Sequence, residues 1–456
     1  MKIKYIGSGL LLFFILGFSH VLFGQENTLE AVLTEVAGHL TRRDYTSALE
    51  SFGKLPREEA EKTEIRIMQA SILNSAGRTA DARRIANAII ASDSRNTDAL
   101  MIIADAAAIE GRDRERRTTL DNIIRIDPAN VRALNDLGNI SLRNQNLRVA
   151  ANYFDRALAA APENGEALVG RATVHRYNRE SRNAERLLNR AVSLYPDWAR
   201  PLHERARLYK GAGFYADALE DLKAALLLEP DNYWMLVDHG LVLLDMNRRQ
   251  EALADFNRAV EIEPNVFMAY VYSAALKDEA GDYAGAERDY TILARLKPDY
   301  YFAFEALGII RMRNKQWALA RDAFLEAYKQ APREYSYALL AAVNWMRAGR
   351  QADPKQFLAQ VMRTAPRDTL EFAMLRLYHD LSGDNNVTML VESEKNIFTK
   401  SQMLFYLASY YDIRGNRAIA DRYYLMVQDL DVVGTVEWRL NEMVLTEKGL
   451  GIRAGK

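Results

Sequence analysis

The chain has 456 residues, 49% hydrophobic and 27% charged, a composition that folds and excludes a disordered polymer. Its 60 Lys and Arg balance 61 Asp and Glu, so no global charge selects nucleic acid. Cysteine is absent, which removes disulfides, thiolate metal sites, catalytic thiols and cysteine-linked lipids.

The first element is N-terminal. Lys2 and Lys4 precede GSGLLLFFILGFSHVLFG, in which His20 is the only ionisable residue. A basic start followed by a short apolar run is the pattern of a secretory signal over residues 1–24. Gly24 suits the residue before a cut, giving Gln25 as the mature start. Leu22 is large for its place two residues earlier, so an uncleaved N-terminal membrane anchor stays open as the alternative. With either outcome the lysines stay inside and the remainder is exported. The expected location is a bacterial periplasm or cell envelope.

From residue 29 onward the chain repeats. Pro128, Pro162, Pro196, Pro230, Pro264, Pro298, Pro332 and Pro366 are each 34 residues apart. With proline at position 32, position 8 is Ala70, Ala104, Gly138, Ala172, Ala206, Gly240, Ala274, Gly308 and Ala342. Position 20 is alanine in most copies, and position 24 is bulky, as in Phe52, Phe154, Leu188, Leu222, Phe256, Tyr290 and Phe324. Apolar residues at 4, 7, 8 and 11, then at 20, 24, 27 and 28, have helical spacing, so each copy is two amphipathic helices. Small residues at 8 and 20 let the axes approach, and bulky neighbours fill the gaps. Gly77, Gly111, Gly213, Gly281, Gly349 and Gly415 mark the turn at position 15. Proline ends the second helix, and Asp, Asn or Glu after it can cap the next.

This pattern resembles the tetratricopeptide repeat (TPR) family. In VRALNDLGNISLRNQNLRVAANYFDRALAAAPEN, residues 131–164, Leu134, Leu137, Gly138, Ala150, Phe154, Ala157 and Pro162 stand at family positions. The resemblance implies an all-α, right-handed α-solenoid of stacked helix-turn-helix units. Residues 25–432 divide into twelve repeats, beginning near 29, 63, 97, 131, 165, 199, 233, 267, 301, 335, 369 and 401. The first ends early, at Pro56. The third has Arg116 where small alanine is expected, which predicts a looser helix pair. In the tenth, Asp353 is read as N-cap and Pro354 as the first residue of a shortened second helix. Residues 383–400 carry the weakest pattern, and a kink is expected there. Residues 433–456 are a capping helix and tail, with Val436, Leu440, Met443 and Val444 inward over the end of the stack.

Catalytic and cofactor chemistry is not indicated. His39, His175, His239 and His379 form no His-x-x-x-His or Glu-x-x-His pairing, and the glycines are spread one per repeat rather than gathered into a phosphate loop. No metal or cofactor is expected.

The resemblance instead implies a concave groove lined by first helices at positions 2, 5, 9, 12 and 13. In repeats four to six these and adjacent positions give a basic set: Arg132, Asn135, Asn139, Arg143, Arg176, Tyr177, Arg200, His203, Arg207 and Lys210. It reads either as a site for an acidic segment or as solvated surface paired with neighbouring acids. Repeats seven to ten give an apolar set: Trp234, Val237, Leu241, Leu244, Met268, Val271, Phe302, Ile309 and Met312, continued by Leu339, Val343 and Met346. It reads either as a site for a partner helix or as surface buried by the protein's own curvature. The expected function is an exported scaffold that binds envelope or secreted proteins through this groove. The alternative is direct binding of an anionic polymer, a cell-wall glycan or nucleic acid, through the basic set. Membrane contact is expected only through residues 1–24.

Overall fold

A computed structural model describes residues 26–350 and 352–450. The segment 1–24 read as a signal or anchor lies outside the described residues. The described residues are helical, with no strand among them.

The chain divides after Pro230 into two compact units. In the first unit, α1 (Glu26–Thr41) pairs with α2 (Tyr45–Ser51), followed by a 3-10 turn and the short α3 (Arg57–Ala60) around Pro56. Five full repeats follow: α4 (Thr63–Ser75) with α5 (Thr79–Ser92), α6 (Thr97–Ile109) with α7 (Asp113–Ile126), α8 (Val131–Arg143) with α9 (Leu147–Ala160), α10 (Gly165–Tyr177) with α11 (Ser181–Leu194), and α12 (Ala199–Gly211) with α13 (Tyr215–Leu228). The second unit continues with α14 (Tyr233–Asp245) and α15 (Arg249–Ile262), α16 (Phe267–Glu279) and α17 (Tyr283–Leu296), α18 (Tyr301–Arg313) and α19 (Trp317–Gln330), and α20 (Tyr335–Arg347) and α21 (Pro354–Val361). It ends with α22 (Leu370–Asp380), α23 (Asp384–Ser393), α24 (Ile397–Ile413), α25 (Arg417–Leu430) and α26 (Val436–Lys448).

Within each unit the two helices of a repeat pack on each other, and the second packs on the first helix of the next repeat. First helices also touch along the stack, as α4 with α6, α8 with α10 and α10 with α12. They therefore form one layer, whose face turned away from the second helices is the inner face. The alanines at position 20, from Ala48 to Ala320 and again at Ala420, are fully buried. Every turn from the first to the tenth repeat, except where residues are undescribed, uses one left-handed residue at position 15: glycine in some copies, and Arg43, Gln145, Arg179, Asn247 or Lys315 in others. In each the next N–H closes back on the helix, as Asn146 N–H to Ser141 O at 2.8 Å. Asn96, Asn130, Asn164 and Asn232 cap α6, α8, α10 and α14 through their side chains.

Arg116 does not leave a gap. It is buried, and its guanidinium pairs with Asp136 at 3.1 Å. Pro354 opens α21 with Asp353 at the N-cap, although the Asp353 side chain makes no cap hydrogen bond. The regular stack breaks at the eleventh repeat. Leu381 and Gly383 are both left-handed, and α24 packs on α20 as well as on α22. The final helix also does more than cover an end. It packs on α24 and α25 and reaches back to α18, which belongs to the ninth repeat.

Candidate protein-binding faces

On the first unit, α8, α10 and α12 carry the basic set, and most of it is engaged with acids. Arg132 donates to Asp105 Oδ2 at 2.7 Å, and Arg200 pairs with Glu166. Arg176 and Arg207 share Glu204, at 3.4 and 3.2 Å. Burial pushes the Glu204 carboxyl up, but Arg207, Arg176, His203 and Arg200 outweigh it and hold the group below the usual carboxylate range. Asp105 behaves the opposite way. Burial pushes it up to about 6 against the pull of Arg132, with Asp136 adding repulsion.

Asn135 is not displayed to a ligand. It is buried, and its Nδ2 donates to Asn164 Oδ1 at 2.8 Å, tying one repeat to the cap of the next. Asn139, His203 and Lys210 are half-buried. Two members of the set stand out at the surface. Arg143 is exposed at residue level and has no ion pair among the described residues; partial burial and repulsion from Arg116 lower its pKa, against the weaker pull of Asp113 and Asp136. Tyr177 is 54% exposed, with the Arg176 guanidinium 4.7 Å from its ring centroid. Arg143 and Tyr177 occupy position 13 of successive repeats. Asp105 and Glu204 were not in the sequence-derived set. Asp105 is at position 9 of the third repeat, and Glu204 at position 6, so opposite charge at those positions one repeat away was the available signal.

On the second unit the apolar set divides. Trp234 and Phe302 are half exposed, at 51% and 49%. Trp234 lies against Tyr233, and Phe302 against Tyr301, with ring centroids 5.0 and 4.2 Å apart. Leu241, Leu244, Met268 and Val271 are half-buried, and Val237 is buried. Ile309, Met312, Leu339, Val343 and Met346 are core residues, in one apolar cluster with Met403, Tyr406 and Leu440. The chain's own α24 and α26 cover them, so the apolar face is not one open groove from the seventh to the tenth repeat. The covering is partly polar. Glu437 is fully buried, accepting from Tyr406 Oη at 2.6 Å and Gln402 Nε2 at 3.1 Å. Glu305 accepts from Tyr337 Oη at 2.5 Å, and burial pushes its carboxyl up.

His175 and His239 are half-buried, each bonded to one carboxylate, Glu180 at 2.5 Å and Asp255 at 2.6 Å. Among the described residues no group of three His, Asp or Glu is placed to hold a metal, and no helix is long and apolar enough to cross a membrane. Shallow surface depressions beside Gly111–Thr119 and between Pro162 and Tyr195 are open to solvent.

This chain belongs to the tetratricopeptide repeat family. The family model matches residues 67–131, 116–164, 135–199, 203–267 and 273–338, together more than half of the chain. The family is a scaffold fold, generally non-catalytic, whose members commonly bind other proteins or peptides. No curated protein matches the chain. Among solved structures, a chain of the APC/C hetero-tetramer Cut9-Hcn1 is 16% identical with a TM-score of 0.51, the match covering 74% of this chain and 66% of that one. The pilF protein of Pseudomonas aeruginosa is 21% identical, with a TM-score of 0.41 and coverage of 44% and 92%. A TPR protein from Parabacteroides merdae is 19% identical, with a TM-score of 0.42 and coverage of 55% and 99%. At these identities the likeness is one of fold.

Proposed function

We propose that the chain is an exported scaffold that holds an acidic segment of a partner protein on the inner face of its fourth to sixth repeats, within a bacterial envelope complex. The observation that carries this reading is the pair at position 13. Arg143 is a surface guanidinium without an ion pair among the described residues, and Tyr177 is an exposed ring stacked under Arg176. Arginine beside an exposed aromatic is the composition of a binding hot spot, and a carboxylate partner would give Arg143 the fork-shaped contact it lacks. The interleaved Asp105, Glu166 and Glu204 favour a protein segment over a uniform polyanion, which they would repel. Export rests on the sequence of residues 1–24, and N-terminal sequencing of the mature protein tests it, with Gln25 expected first.

Crosslinked co-purification from the native envelope, read by mass spectrometry, tests the binding face. Arg143→Glu and Tyr177→Ala are expected to leave the melting temperature unchanged and to weaken partner capture about tenfold or more, the scale of losing one hot-spot contact. Equal recovery of the same partners by both variants would sink the reading.

A further inference from the structure

The inner face of the eighth and ninth repeats is occupied by the chain's own terminal helix. Arg439 of α26 places Nη2 2.6 Å from both carboxylate oxygens of Asp278, 161 residues earlier at position 12 of the eighth repeat. Glu447 pairs with Lys315 at 2.5 Å, and Leu440, Val444 and Leu445 enter the core cluster that holds Ile309 and Met312. Asp278, Ile309 and Met312 are at positions 12, 9 and 12, which face a ligand in the repeat geometry, and Lys315 is at the turn beside them, so α26 sits as a ligand would. Its polar fit is incomplete. Buried Glu437 is satisfied by Tyr406 and Gln402, and Asn441 Nδ2 donates to Tyr424 O, but neither Asn441 Oδ1 nor Trp438 Nε1 has a hydrogen-bond partner among the described residues. Burying polar atoms unsatisfied is costly, so the helix is held less tightly than its apolar side chains would allow. It is joined to α25 by a short link in which Asp431 and Gly434 are left-handed. Half-exposed rings stand on first helices of the same unit: Phe302 lies one turn from Glu305, and Trp234 stands two repeats back at the same position 2.

We propose that this face is a helix-binding site for which α26 is an internal, displaceable ligand, and that the occupant replacing it is an amphipathic helix of another protein. That helix carries an arginine for Asp278 and an apolar stripe at the spacing of Leu440 and Val444, and a longer one gains contact with Phe302 and Trp234. The inference rests on reading the family's inner face as a protein-binding surface. The experiments on Arg143 and Tyr177 concern the first unit only, so their failure and failure here are separable.

The probe is a fluorescein-labelled peptide of residues 433–450, read by anisotropy against the full chain. In the Arg439→Glu chain Asp278 repels the internal helix, and the peptide, which keeps its arginine, is expected to bind at least ten times more tightly than to the unmutated chain. Equal binding to both chains overturns the proposal. A dimer of the Arg439→Glu chain on size-exclusion would make a second copy the occupant and overturn the choice of partner. If that variant does not fold, hydrogen exchange on the unmutated chain decides: amides of 436–448 should exchange at least ten times faster than those of 397–430, and exchange at one common rate refutes displaceability.

Discussion

Phe154 shows how one side chain sets its neighbours. A Cβ added at Gly138 would lie 2.6 Å from Phe154 Cε1, and Gly240 and Gly308 stand in the same relation to Phe256 and Phe324, at 2.9 and 2.5 Å. At Ala104, Ala172, Ala206 and Ala342 position 24 is the smaller Leu120, Leu188, Leu222 or Leu358, although the eighth repeat combines Ala274 with Tyr290. In those seven repeats the volume shared by the two positions is kept nearly constant. Gly138→Ala should cost about 1–3 kcal/mol by overpacking, and that cost should fall by more than about 1 kcal/mol in a Phe154→Leu background. Urea midpoints of the four chains in the cycle measure it, and additive costs would refute the pairing. Asp105 gives the second residue-scale prediction. Its folded pKa is about 6, above the ordinary aspartate value, so between about pH 4 and 6 the folded state binds a proton that the unfolded state does not. Stability from this group is therefore lost as pH rises through that window. The stability of Asp105→Asn minus that of the unmutated chain should rise between pH 4 and 7, by up to about 3 kcal/mol. A flat or falling difference in urea unfolding contradicts the shift.

At the scale of the helix, the caps do two jobs. Asn164 Oδ1 accepts from Ala167 N–H at 2.9 Å, which starts α10, and from Asn135 Nδ2 at 2.8 Å, which joins α8 to that start. Asn164→Ala removes the one oxygen that accepts both bonds and strands a buried amide, at an expected cost of about 1–2 kcal/mol, whereas Asn164→Asp keeps an acceptor for both and costs less. Thermal melts of the two variants should differ in that order; equal losses would show that the link to Asn135 contributes nothing. The cap was legible in sequence at Asn130, Asn164 and Asn232, each two residues after a proline, whereas Trp198, Val266, Tyr300 and Glu334 at the same place make no side-chain cap bond. The role of Asn135 was not legible. Helical periodicity places it on the inner face, and only the stacking of the next repeat shows that the face is closed there by Asn164.

Over the whole molecule, local and non-local packing are unevenly shared. The core of the first unit is a string of small clusters, each spanning one or two repeats. The second unit has a small cluster from Tyr270 to Ala323 and a large one running from Ile309 to Leu445, with Tyr406 Oη 3.1 Å from Ser336 O across 70 residues. A stack of nearest-neighbour contacts opens repeat by repeat, while α20, α24 and α25, joined by distant contacts, open together, with α26 separable from them. Native-state hydrogen exchange should find the slowest amides in α20, α24 and α25. Slowest exchange in the first unit would contradict that ordering.

What the sequence determined by itself was everything that recurs within one period. Helix starts at 63, 97, 131, 165, 199, 233, 267, 301 and 335 coincide with the observed ones, because caps, turns and small-residue contacts act within 34 residues and repeat often enough to be averaged. Family and fold class follow from those local rules. What only the tertiary structure decided is which inner-face residues are exposed. Arg176 meets Glu204, and Ile309 and Met346 meet α24 and α26, through contacts between repeats or across a broken stack. Such contacts depend on how helices stack and on where the chain turns back at Leu381 and Gly383, and no periodic pattern encodes either. Arg143 and Tyr177 could be named from sequence, but that they remain at the surface is decided by how neighbouring repeats pack and pair around them.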